Sequence, residues 1–171
     1  MKTIQIIVLT IALLIVFFYY LPKWSDKIKS KTIRAYYKII AIKYPEESRR
    51  GILASLISDY RFTLGIPELV IDEYLDKLAE RRAEELDSSN EIAHYGVVDE
   101  FVLLKNKGAK NSAELLAGNF GTPEGVLKGW IQSEKHHHYL VSWKYNAMAV
   151  HCRYDESQER WIDVLLMINT Y

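Results

Sequence analysis

The chain has 171 residues, 49% of them apolar and 26% charged, with 22 Lys/Arg against 22 Asp/Glu. That is room for one ordinary domain and an appendage, and no repeat or low-complexity stretch breaks it up. The zero net charge conceals an asymmetry: residues 22–50 carry nine Lys/Arg and three Asp/Glu, residues 51–171 twelve and nineteen. A basic neck beside an acidic body, with no aromatic-basic pattern on the body, does not read as a nucleic-acid binder. Cys152 is the single cysteine, so no intramolecular disulfide staples the body. Set in Ala149-Val150-His151-Cys152, it reads as a small buried hydrophobe.

Residues 4–21 are apolar except for Gln5 and Thr10. At 1.5 Å per residue they span roughly 27 Å, close to the hydrocarbon thickness of a bilayer. Tyr19, Tyr20 and Trp24 follow, where amphipathic rings suit the membrane interface. No small-x-small cleavage site follows the run, so an uncleaved anchor is expected rather than a signal peptide. Lys23, Lys27, Lys29, Lys31, Arg34 and Lys38 come after it, and only Lys2 before. By flanking charge alone the body lies in the cytoplasm. The neck also carries Ile28, Ile33, Tyr36, Tyr37, Ile40 and Tyr44, and as an amphipathic helix it would lie on anionic lipid. The expected organisation is an anchor over 1–22, a basic neck over 23–45 and a folded body over 46–171.

Pro45-Glu46-Glu47 opens a helix, and Ile52, Leu53, Leu56, Ile57 and Tyr60 recur at helical spacing. Gly65-Ile66-Pro67 breaks it. Asp72 is a plausible N-cap for a second helix to Leu86, with Leu75, Leu78, Ala79, Ala83 and Leu86 as its apolar stripe. Ser88-Ser89-Asn90 reads as a turn and 99–106 as a short helix. Gly108 and Asn111 loosen the chain before Glu114. Thr122-Pro123-Glu124 is a strong helix start, with cap, proline and first-turn acid in order. Residues 147–153 and 161–168 read as two strands of a hairpin.

The ordered motifs across this body resemble the CAP superfamily of cysteine-rich secretory, antigen and pathogenesis-related proteins. The first is Arg61-x3-Gly65-x3-Leu69-x2-Asp72-x2-Leu75-x3-Ala79-x3-Ala83-x2-Leu86. His94 follows in Ile92-Ala93-His94-Tyr95-Gly96, then Glu114 in Ala113-Glu114-Leu115, then Trp130-x2-Ser133-x2-His136. The resemblance covers about residues 52–168 and is strongest for the cysteine-poor bacterial branch. Departures are Ser58 for an asparagine, Ala113 and Leu115 for the neighbours of the glutamate, Tyr139 for an asparagine, and Ala147-Met148-Ala149-Val150 for a glycine-rich run. Ser133 stands where a second glutamate is common.

The resemblance implies an α+β fold, an α-β-α sandwich with a central antiparallel sheet, behind the N-terminal transmembrane helix. It implies an extracytoplasmic body on a single-pass anchor, against the charge rule. It also implies a cleft in which His94 and His136 hold Zn²⁺ or another divalent cation, with Glu114 as a further ligand, orienter or general base. Of His136-His137-His138, three consecutive residues cannot share one face. His136 is expected inward and the other two in solvent. No Gly-x-Ser-x-Gly elbow, phosphate loop or dinucleotide fingerprint is present.

The leading expectation is a non-catalytic binding module at the cell envelope, its cleft taking a divalent ion or a small apolar ligand. The alternatives are a metal-assisted hydrolase of peptides or esters with Glu114 as base, and a structural subunit of a membrane assembly that works through its anchor and neck with a protein partner.

Overall fold

The computed structural model describes residues 45–169 except Asn90, Tyr95, Gly96 and Lys107. The expected anchor and neck lie outside the described residues. Among those described, no helix is long and apolar enough to cross a membrane. Helix α1 spans Pro45–Thr63, β1 Val70–Ile71, α2 Glu73–Ser88, α3 Val97–Asn106 and β2 Asn111–Gly118. Helix α4 spans Pro123–Gln132, α5 Glu134–Leu140, β3 Ala147–Asp155 and β4 Arg160–Asn169.

The four strands form one sheet in the order β1-β3-β4-β2. The period-2 alternation of β4 sends its residues to two cores. Leu165 and Met167 join Leu53 and Ile57 of α1, Val126 and Trp130 of α4, and Leu140 of α5. Ile162, Val164, Leu166 and Ile168 meet Leu75, Ala79, Ala83 and Leu86 of α2 and Leu104 of α3. Helices therefore cover both faces of a mixed α/β fold. Cys152 is buried as expected, in the first core.

The expected helix starts hold. Asp72 Oδ1 accepts from the Leu75 backbone N–H at 2.7 Å, and Thr122 Oγ1 from that of Gly125 at 3.1 Å. One expectation needs correction. The sheet is not wholly antiparallel, because β1 pairs parallel with β3. Helices α1 and α2 pack on opposite faces, so the chain between them must pass the sheet edge. There Val70 N–H donates to Asn146 O and Asp72 N–H to Met148 O. Residues 111–118, given no element from the sequence, are a full strand paired antiparallel with β4. Ala113, Glu114, Leu115 and Ala117 are helix formers, and tertiary pairing overrides that preference.

Candidate functional site

The outer edge of β2 is where the two helical layers meet, and a groove opens there. Trp130, 1% exposed, reaches from α4 and donates Nε1–H to Leu116 O at 3.1 Å. Ile92 crosses the strand end, where a Cβ on Gly118 would overlap its side chain. A side chain at that position would have to push Ile92 aside. Asn119 then takes a left-handed φ of 66° and turns the chain out. The resulting groove has a volume of about 490 Å³ and is lined by His94, His136, Ile92, Leu116, Phe120 and Arg160 among others.

Glu114, Leu116 and Gly118 alternate on the α2 side of β2. That places the Glu114 carboxylate under α2 with its side chain 1% exposed. A buried carboxylate needs a charged partner, and Arg82 supplies it: Nε donates to Glu114 Oε2 at 2.8 Å. The same guanidinium donates through Nη2 to Ala93 O at 2.7 Å. It therefore fixes both the carboxylate and the loop that carries His94. The other oxygen, Oε1, lies 2.7 Å from His94 Nδ1. Against an ionised carboxylate Nδ1 carries the proton of a neutral imidazole, which leaves Nε2 with its lone pair free.

His136 arrives from the other layer. Ser133 ends α4, its N–H donating to Gly129 O, and begins α5, where its hydroxyl accepts from His136 N–H. This corner turns His136 toward the groove, half-buried. Its ring centroid lies 6.5 Å from that of His94. Burial, and secondarily His94, lowers the His136 pKa from its ordinary value of 6.5, which favours the neutral ring.

The three predicted residues thus converge, but in two roles. Both Glu114 oxygens are engaged by Arg82 and His94. Among the described residues no group of three or more His, Cys, Asp or Glu side chains is arranged to hold a metal ion. The fit for a divalent ion therefore rests on two imidazoles, one of them oriented by a carboxylate as metal-bound histidines usually are. His138 is exposed, as expected. His137 corrects its expectation: it is half-buried, with Nε2 2.8 Å from Tyr60 Oη. Tyr139 and Trp143, at 41% and 68% exposure, are not among the lining residues and do not close the groove.

Sequence reasoning missed Arg82 and Arg160. Arg82 had a signal: it sits at i+7 from Leu75 and i−4 from Leu86, on the apolar stripe itself. A charge at a core position announces a buried partner. Arg160 opens β4 at a hairpin turn, and no periodicity marks it.

Three comparisons bear on this geometry. The family model "CAP: Cysteine-rich secretory protein family" matches residues 54–166. The uncharacterized protein YkwD of Bacillus subtilis (strain 168) is 31% identical over 103 residues, which cover 57% of this chain and 38% of that protein. The chain thus spans about two fifths of the length of that relative. Among solved structures, an outer surface protein from Borrelia burgdorferi superposes with a TM-score of 0.64 at 23% identity, over 70% of this chain and 91% of its own. A cysteine-rich secretory protein from Staphylococcus aureus gives 0.62 at 20%, over 74% and 40%. An extracellular protein containing a SCP domain from Bacillus anthracis gives 0.62 at 18%, over 72% and 41%. At these identities the structures speak to fold.

Proposed function

Since the chain belongs to the cysteine-rich secretory protein (CAP) family, we propose that it is a membrane-anchored binding module at the cell envelope, whose groove takes a divalent ion or a small apolar ligand. The observation that carries this is the pair of imidazoles facing each other across the groove, one fixed from behind by a buried Arg82–Glu114 pair. Anchoring rests on the apolar run at 4–21. Placement outside the cytoplasm draws support from relatives described as an outer surface protein and an extracellular protein.

His94 and His136 would hold the ion, with Glu114 orienting His94. Two protein nitrogens leave the remaining coordination positions to water or ligand. A bound ion supplies Lewis acidity toward a ligand oxygen. The chain's own residues favour binding over hydrolysis. A general base needs a carboxylate free to accept a proton, and Glu114 has committed both oxygens. Ser133, where a second carboxylate is common, caps two helices instead.

Zn²⁺ titration calorimetry on the full chain in detergent micelles tests the ion. Near-micromolar binding is expected, weakened at least tenfold in His94→Ala and in His136→Ala and unchanged in His138→Ala. Binding indifferent to the first two substitutions, or no binding by the folded chain, overturns the two-histidine site.

A further inference from the structure

Arg160 is one of the groove-lining residues. Its side chain is 10% exposed. Nε donates to Asp155 Oδ2 at 3.2 Å, whereas Nη2 is buried and meets no hydrogen-bond acceptor among the described residues. Asp155 is itself shared, since its Oδ1 takes Ser157 N–H, the Ser157 hydroxyl and Gln158 N–H. A buried donor left unpaired costs about 1–3 kcal/mol, more when it is charged, so an acceptor supplied from the groove is favoured there.

The rest of the groove agrees on sign. His136 and Asn119 can each donate a hydrogen bond into it, while the His94 N–H is spent on Glu114. Glu114 is neutralised by Arg82, and Glu91 is exposed at the rim. Ile92, Leu116 and Phe120 give one wall an apolar surface. We propose that the groove recognises a ligand with a single oxyanion, carboxylate or phosphate, on an apolar body, and that the oxyanion pairs with Arg160. The guanidinium suits this, because its planar donors match an oxyanion while Nε stays on Asp155. Since Nη2 is buried, the Arg160 side chain shifts toward the groove on binding. This inference rests on the groove being a binding site and names the chemistry of its ligand.

The test uses the full chain in detergent, with EDTA to exclude metal, and compares hexanoate, hexyl phosphate and hexan-1-ol by titration. At least one acid binds tenfold or more tighter than the alcohol, and which acid does so separates carboxylate from phosphate. Arg160→Gln brings that acid to the level of hexan-1-ol, and Arg160→Lys restores part of the difference. Should Arg160→Gln fail to fold after losing the Asp155 contact, the Arg160 Nε–H signal of the wild-type chain provides the readout by NMR: it shifts on titration with the preferred acid. Equal binding of acid and alcohol, or an unmoved Arg160 signal, overturns this inference and leaves the groove as a binding site. No binding of any of the three also overturns it, and the zinc titration then decides the groove separately.

Discussion

Two buried ion pairs stand on opposite faces of the sheet, and they are built to different ends. On the α1 face, Arg49 holds Asp163 with two parallel bonds of 2.6 and 2.8 Å. Its guanidinium lies 4.5 Å from the centre of the Trp161 ring, and its remaining donors go to Phe120 O and Gly121 O. Both Asp163 oxygens are held by Arg49, Cys152 adds a further side-chain hydrogen bond, and the Asp163 side chain is fully buried. On the α2 face, Arg82 takes only one oxygen of Glu114. The other goes to His94, whose side chain is 56% exposed in the groove. The first pair is closed and structural. The second leaves one valence directed at solvent through an imidazole. Buried charge alone therefore does not mark a site. A buried charge with a bond left over for an exposed titratable group does.

The contrast can be broken first by stability. Arg49→Met leaves Asp163 buried and uncompensated, and is expected to cost about 4 kcal/mol. Arg82→Met is expected to cost about 3 kcal/mol, because Glu114 keeps His94 as a partner. Urea melts of the two variants order them, and a costlier Arg82→Met would reverse the reading. His94→Ala sharpens the same point. It strips one hydrogen bond from Glu114 and is expected to cost only about 1 kcal/mol, while zinc binding falls as described. A destabilisation as large as that of Arg82→Met would make His94 a structural residue.

The smallest expected effect is on pH dependence. His136 is held below its ordinary value of 6.5 by burial and then by His94. The unfolded chain therefore binds a proton that the folded chain refuses. Stability is fully present above about pH 6.5 and falls as pH drops through the lowered folded value. His151 is lowered in the same direction, by burial and then Arg50. His136→Gln is expected to flatten, not abolish, the slope of stability against pH below about 6.5. An identical slope in urea melts at several pH values would remove His136 from this account.

Much of the body was legible because its signals are local. Asp72 and Thr122 cap where cap chemistry predicts, the α2 stripe is buried as spaced, and the β3–β4 hairpin forms across a polar turn. The convergence of His94, Glu114 and His136 was legible only through the ordered family motifs, since no local pattern brings residues from a loop, a strand and a helical corner together. What stayed hidden depended on partners remote in sequence. β2 is a strand because β4 pairs with it, against the preference of Ala113, Leu115 and Ala117. The engagement of Glu114 follows from Arg82, 32 residues away. The pairing of His137 follows from Tyr60, 77 residues away.

The Ser133 corner has a consequence for how the groove comes into being. His136 is oriented by contacts within four residues of Ser133, from Gly129 O to His137 N–H. His94 is oriented across separations of 11, 20 and 32 residues through Arg82, Ala93 and Glu114. One wall can therefore form on the time scale of a helical turn, about a microsecond or less, whereas the other must wait for the sheet. Under partial denaturation the order runs backwards. The long-range wall is then expected to open first, so that the proposed zinc binding is lost at lower urea than the helical signal.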